Sequence, residues 1–317
     1  MKHGVPQGSV LGPLLFLLYI NDLNHSVKNC WTYHFADDTN LLAIGKSPKK
    51  LQKQINSDLK QLYKWLLANK ISLNKTKTEL IIFRKPNSNI CHDMTIKLNG
   101  HRIYPSATIK YLGFQLDETL SGAAHCSELA KKLIRANAML TKVRHYVSED
   151  KLISIYFAIF SSHMTYGCQV WGQNHSSKKF QIIEKLQDRA MKIMSFSRYD
   201  SAPDPIYKKF NILKLKDHIT RLNCLLIHDY SRNLLPKSFN DFFIPCSDLY
   251  SSDNRHAAGS LFEPSVNSTK YGLKSIKLSS IFQWNYLTES LEKNMFTLSR
   301  YAIKQFLSSH FINSYSS

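Results

Sequence analysis

An apolar run, Val10-Leu11-Gly12-Pro13-Leu14-Leu15-Phe16-Leu17-Leu18-Tyr19-Ile20, lies near the start of the chain and is closed by Asn21-Asp22. Lys2 and His3 ahead of it give it the look of a signal peptide, but Gly12-Pro13 interrupts it and no Ala-x-Ala-type cleavage site follows. It is too short to span a bilayer, so the pattern predicts a buried helix with Pro13 in its first turn. No other segment approaches membrane length. In Tyr33-His34-Phe35-Ala36-Asp37-Asp38-Thr39-Asn40-Leu41-Leu42-Ala43-Ile44, apolar residues flank an acidic pair, which predicts two short strands joined by a tight turn. Ser47-Pro48 then serves as N-cap and first helical residue. Leu51, Ile55, Leu59, Leu62 and Leu66 repeat at helical spacing up to Asn69, with Lys49, Lys50, Lys53, Lys60 and Lys64 elsewhere on the wheel.

Leu80-Ile81-Ile82-Phe83 predicts a buried strand stopped by Pro86. Alternation around Asn99-Gly100, from Ile96 to Ile103, predicts a hairpin. Ile109–Leu116 predicts another strand. The character changes near residue 120: Leu129, Leu133, Leu140 and Val143 mark a long helix carrying Lys131, Lys132, Arg135, Lys142 and Arg144. Helical stretches follow near 149–164, 176–196, 215–230, 279–292 and 297–311, with looser pattern after Pro203 and a polar stretch over 247–260. The fold class is therefore α+β: a mixed block to residue 117, then helices.

Composition changes this picture in one respect. The chain is 43% hydrophobic and 21% charged, as a globular protein is, but 42 Lys and Arg stand against 23 Asp and Glu, a formal charge of +19. Such an excess suits a chain that neutralises phosphates by releasing their counterions. A basic protein without a polyanionic partner, and one that meets anionic lipid, fit it too. The six cysteines (Cys30, Cys91, Cys126, Cys168, Cys224, Cys246) form no Cys-x-x-Cys pair, which favours reduced structural thiols in an intracellular compartment. Cys224 and His228 have a tolerable zinc-ligand separation, but Cys246 and His256 follow at no standard spacing.

The candidate chemistry centres on Asp37-Asp38. Adjacent carboxylates on a strand–turn–strand can hold Mg²⁺ or Mn²⁺ for phosphoryl transfer, where two ions sit about 3.5–4 Å apart; a solvated turn accounts for the same pair. Upstream lies Gly4-Val5-Pro6-Gln7-Gly8-Ser9-Val10-Leu11-Gly12-Pro13. Its glycines leave backbone room for a ligand and Gln7 can bond a base or sugar edge, or the segment only builds the turn into the helix. In this order, the segment and Phe35-Ala36-Asp37-Asp38 resemble the palm of reverse transcriptases from non-LTR retrotransposons, the jockey-like LINE types above all. Leu73-Asn74-Lys75-Thr76-Lys77-Thr78-Glu79 is similar to the next palm motif, and Tyr111-Leu112-Gly113 to the primer grip. Thr165–Gly172, Leu186–Ala190 and Trp284–Leu287 are similar to stretches that follow the polymerase domain in such elements.

The resemblance implies an RNA-directed DNA polymerase that uses Mg²⁺ or Mn²⁺, an RNA template, a DNA primer and deoxynucleoside triphosphates, and has no membrane partner. It implies that Asp37 and Asp38 are catalytic metal ligands, that Lys77 protonates the leaving pyrophosphate, and that Gly4, Pro6, Gln7 and Gly8 bind nucleotide or template. Tyr111, Leu112 and Gly113 would steady the primer. A surface lysine at a strand edge accounts for Lys77 equally. The domains implied are the C-terminal half of a palm over 1–117, a helical thumb-like region over 118–200 and a mainly helical region over 201–317. The family places a further carboxylate on an earlier palm strand, before Gly4, and its fingers earlier still. Asp22, at the end of a helix, is no substitute, so the isolated chain is expected not to polymerise DNA. A non-catalytic nucleic-acid-binding remnant is the alternative.

Overall fold

The computed structural model describes residues 8–85, 94–175, 177–246, 249, 260–265, 274–291 and 295–315. The chain folds as two compact units, Met1–Ser121 and Gly122–Ser317.

In the first unit, α1 (Leu11–Ile20) leads through a 3-10 turn (Asn21–Ser26) into β1 (Trp31–Phe35) and β2 (Asp38–Leu42), then α2 (Pro48–Ala68) and a second 3-10 turn (Lys75–Lys77). Three short hairpins carry the strand pairing among the described residues: β1 with β2, β3 (Ile96–Leu98) with β4 (His101–Ile103), and β5 (Thr108–Tyr111) with β6 (Phe114–Asp117). Leu59, Leu62 and Leu66 of α2 pack on Leu23, Met94, Ile96, Leu98 and Ile103 to form the core. Polar residues of α2 hold β3 along its edge, since Asn56 accepts from the Lys97 backbone N–H at 2.7 Å and Gln52 donates to the Thr95 carbonyl at 2.5 Å. Strand-edge groups that would otherwise be orphaned are satisfied this way. Asn99 (φ +46°) and Gly100 (φ +79°) form the expected Asn-Gly hairpin turn, both in the left-handed region that a type I′ turn requires.

Four expectations differ from the structure. Ile109–Leu116, expected as one strand, turns back at Leu112-Gly113 into the β5–β6 hairpin. The apolar run is helical, but α1 buries only Gly12 and Ile20; Leu11, Leu14, Leu15, Leu17 and Leu18 stay exposed. A helix apolar on every side needs cover on every side, and the described part of this unit covers only a residue near each end. The Leu80–Phe83 strand is reduced to a bridge between Leu80 and Pro105: the Ser106 N–H donates to the Leu80 carbonyl (2.7 Å) and the Arg84 N–H to the Glu118 carbonyl (2.9 Å), with no ladder between them. Pro86, expected to stop it, lies outside the described residues. The antiparallel pairing expected of one palm sheet is divided among three hairpins among the described residues.

The second unit is helical: α3 (Ala123–Val143), α4 (Glu149–Tyr156), a π-helical turn (Phe157–Ser161), α5 (Ser162–Thr165), α6 (Cys168–Trp171), α7 (Lys178–Met194), α8 (Asp204–Phe210), α9 (Leu215–Ser231), α10 (Ile276–Ser290) and α11 (Arg300–Ser314). Leu129, Leu133, Ala136 and Leu140 form the buried stripe of α3, which packs on α7. A second cluster joins α9, α10 and α11 around Trp284. Buried amides lock the helices together. Gln187 donates to the Leu213 carbonyl (2.9 Å) and accepts from the Leu215 N–H (2.9 Å), while Asn223 of α9 bonds Gln173 (3.1 Å) and Gln283 (2.8 Å). Cys224 lies fully buried in this cluster, its thiol pushed up to about 12 by burial, and His228 lies 3.0 Å from the Leu298 carbonyl. Most of the polar 247–260 stretch, His256 included, lies outside the described residues. No described helix is long and apolar enough to cross a membrane.

The Thr165–Gly172 stretch has a packing role. Gly167 takes φ +53°, and the Trp171 indole donates to the Tyr166 carbonyl at 3.1 Å. A Cβ on Gly172 would lie 2.5 Å from the Cys168 carbonyl oxygen and 2.5 Å from Ile219 Cδ1. Backbone cannot yield as a side-chain tip can, so Gly172→Ala is expected to destabilise this unit by about 1–3 kcal/mol. Urea unfolding of the variant measures this; a midpoint equal to that of the parent chain would contradict the close packing of α6 on α9.

Candidate functional site

The first hairpin is positioned by two polar anchors. Asp58, on the core-facing side of α2 and only 2% exposed, accepts from the backbone N–H groups of Asn29 (2.7 Å) and Cys30 (2.9 Å) and from the Asn29 side chain (2.8 Å). These bonds fix the chain just before β1 enters. Burial by itself would raise the Asp58 carboxyl, but the bonds from Asn29, Cys30 and Lys28 favour the carboxylate more strongly, and its pKa is lowered. The Cys30 thiol, half-buried beside that carboxylate, is pushed up to about 12 and is unreactive.

Asn24, in the turn after α1, is the second anchor. Its Oδ1 accepts from Thr32 (2.5 Å) and from His34 Nε2 (2.5 Å). The Asn24 oxygen beside Nε2 can only accept, which puts the His34 proton on Nε2, so Nδ1 accepts a hydrogen bond from the Thr39 hydroxyl across the hairpin at 3.2 Å. Burial lowers the His34 pKa, in keeping with this neutral tautomer. Thr32 and His34 thus face the unit, and alternation turns Trp31, Tyr33 and Phe35 outward, each more than half exposed.

At the tip, Phe35 pairs with Asp38, leaving Ala36 and Asp37 as the turn. Ala36 takes φ +51°, a left-handed conformation that costs a residue with a Cβ about 1 kcal/mol or more. Asp37 and Asp38 are both exposed to solvent. A divalent ion of the magnesium type is held through one or two carboxylates plus substrate phosphates. Among the described residues no group of three His, Cys, Asp or Glu side chains converges. The pair therefore suits one such ion in donor type and number, and falls short of a two-ion clamp on its own.

The other candidates are placed separately. Lys77 ends an exposed 3-10 turn capped by Asn74, whose Oδ1 accepts from the N–H groups of Thr76 (3.1 Å) and Lys77 (3.3 Å). Among the described residues no hydrogen bond or ion pair joins Lys77 to Asp37 or Asp38. Leu112 (φ +44°) and Gly113 (φ +84°) form the turn of the β5–β6 hairpin, closed by the Tyr111–Phe114 pair. Leucine in that region is a strained choice, and strain of this kind collects where a turn is used. Gly4, Pro6 and Gln7 lie outside the described residues, and Gly8 takes φ +85° in a turn. Asp58, Asn24 and His34 went unnoticed in the sequence, although an acid at position 58 among Ile55, Leu59 and Leu62 stands on the apolar face of α2.

Comparisons with known proteins agree with the motifs. The family model for reverse transcriptase (RNA-dependent DNA polymerase) matches residues 1–116. A probable RNA-directed DNA polymerase from transposon X-element of Drosophila melanogaster is 24% identical over 229 residues, 69% of this chain and 24% of that protein. The RNA-directed DNA polymerase from mobile element jockey of the same organism is 25% identical over 232 residues, 69% of this chain and 25% of that protein. A retrovirus-related Pol polyprotein from type-1 retrotransposable element R1 2 of Nasonia vitripennis is 28% identical over 148 residues, 44% of this chain and 35% of that protein. The chain is similar to the RNA-directed DNA polymerases of these non-LTR retrotransposons, and spans about a quarter of the length of the X-element and jockey proteins. No solved structure matches it.

Asp58→Ala would leave two backbone N–H groups without partners and is expected to cost the first unit about 3 kcal/mol at neutral pH. Because the folded-state pKa is lowered from its usual 3.8, the carboxylate's contribution is complete above that value and lost as pH falls through the folded one. Denaturant unfolding of the parent chain and Asp58→Asn from pH 7 to pH 2 should show a stability gap that closes on the acid side. A gap that widens in acid would contradict the assignment.

Proposed function

We propose that the chain is part of an RNA-directed DNA polymerase of a non-LTR retrotransposon, acting on an RNA template, a DNA primer and deoxynucleoside triphosphates inside the cell, in the nucleus or cytoplasm. Residues 1–117 would be the C-terminal half of the palm, 118–200 a thumb-like region and 201–317 a mainly helical C-terminal region. The observation that carries this is the solvent-exposed Asp37-Asp38 pair at a hairpin tip, within the stretch that matches the reverse transcriptase family.

Asp37 and Asp38 would hold Mg²⁺ or Mn²⁺. A bound ion there supplies charge for activating the primer 3′-hydroxyl and for neutralising the leaving pyrophosphate. Lys77, exposed and on a capped turn, would give a proton to that pyrophosphate. Gly4, Pro6, Gln7 and Gly8 would accept nucleotide or template against open backbone. The tight turn at Tyr111, Leu112 and Gly113 would press on the primer end.

Asp37 and Asp38 are two carboxylates where the family's chemistry would draw on three, no further acidic side chain converges on them among the described residues, and removing one member of a cooperative catalytic set removes most of the rate. By itself the chain would not extend a primer. A second function, binding nucleic acid without catalysis, is favoured by the formal charge of +19 and by the exposed lysines 49, 50, 53, 60 and 64 of α2. Such binding would weaken steeply with salt and be indifferent to metal.

Primer extension on an RNA template separates the two. The isolated chain is expected to give no product. With the matched part of this chain in place of its counterpart in full-length Drosophila jockey polymerase, extension is expected, falling at least about 1000-fold with Asp37→Asn. Extension by the isolated chain would overturn its inactivity, and chimeric extension that Asp37→Asn leaves unchanged would overturn the catalytic assignment.

A further inference from the structure

The second unit contains a cavity of about 440 Å³, walled by the π-helical turn, the loop after α8, α9 and α11. Its inner wall is apolar, with Tyr156 and Met164 fully or nearly fully buried. Three basic side chains line it: His218 and Arg221 from α9, and Lys304 from α11. One arm of the Arg221 guanidinium donates to Ser308 Oγ (2.6 Å) and the other lies 3.2 Å from His218 Nδ1. Its Nε is buried with no hydrogen-bond partner.

No carboxylate forms an ion pair with Arg221 or Lys304 among the described residues. Burying a guanidinium without an anion is costly, and cations so placed are ordinarily paired. The surroundings show the strain: burial lowers the Arg221 pKa, and burial together with Arg221 and Lys304 brings His218 down to about 4. His218 is therefore neutral at physiological pH. A guanidinium can only donate, so Nδ1 accepts and Nε2 carries the proton, which adds a third donor to the set.

The backbone is irregular on the same wall. Phe157–Ser161 departs from α-helix to π-helix, and Asn211, at φ +54°, lines the cavity from the loop. Single π turns inside helices are frequent at functional sites, whereas the left-handed Asn211 is the ordinary C-cap of α8. The void lies within the usual range for small-molecule sites, roughly 300–1000 Å³, and exceeds what a bare oxyanion fills.

We propose that this cavity is a phosphate site, in which the Arg221 guanidinium and Lys304 bind the phosphate of a nucleotide, either free or at the end of a strand. Ser308 and His218 hold the guanidinium at the cavity wall through one N–H of each arm, and each arm keeps a second N–H. Guanidinium and ammonium donors beside neutral hydroxyls suit a tetrahedral oxyanion, and the apolar inner wall leaves room for the group that carries it. None of this depends on the hairpin of the first unit or on the polymerase chemistry.

Calorimetric titration of the full chain at fixed ionic strength tests the site, with adenosine 5′-monophosphate and adenosine as probes. The monophosphate is expected to bind at least tenfold more tightly than adenosine, and Arg221→Met and Lys304→Met each to weaken it at least tenfold. Lys304 is exposed, so its variant keeps the test independent of folding. A short oligodeoxynucleotide with a 5′-phosphate identifies the source: if it binds more tightly than the monophosphate the site takes a strand end, and if more weakly a free nucleotide. Equal binding of monophosphate and adenosine, or affinity untouched by Lys304→Met, would overturn the proposal.

Discussion

One buried carboxylate sets the geometry of the first unit. Asp58 sits among leucines on α2, and its oxygens are taken up by the backbone and side chain of Asn29 and by the Cys30 N–H. A buried charge is tolerable only with such a complement of donors. The middle of α2 and the point where β1 enters are thereby held together. From there the register follows: Thr32 and His34 turn inward to Asn24, the aromatic face turns outward, and the acidic turn is carried to the exposed end of the hairpin.

The second unit follows a different logic. Its helices could slide on an apolar interface, but Gln187 and Asn223 have donors and acceptors that are satisfied in one arrangement only. Polar networks of this kind specify a packing more than they strengthen it. Asn285 does the same at the far end, bonding both the N–H (2.9 Å) and the carbonyl (2.8 Å) of Leu261. The stretches around Gln187, Trp171 and Trp284 thus hold helices together.

Much of this was legible beforehand. The helical spacing of Leu59, Leu62 and Leu66, the Asn99-Gly100 turn and the acidic hairpin follow from short-range rules that operate wherever the segment sits. Other elements depended on what lies across from them. Leu80–Phe83 has the composition of a strand, yet its edge meets Pro105, which offers no N–H, and pairing stops at a bridge. Nothing in α1 itself says which side is covered, because apolar residues occupy every side. Asp58 was missed, although it is an acid on an apolar helix face; its donors come from the loop before β1, which periodicity cannot locate.

The account rests on the acidic tip as a place where a divalent cation is held. Amide line broadening by Mn²⁺, followed by NMR on the chain, observes this directly. Titration should broaden the resonances of Ala36, Asp37, Asp38 and Thr39 first, and Asp37→Asn should remove the effect. Broadening that spreads evenly over the acidic surface, or that begins elsewhere and persists in the variant, would contradict it.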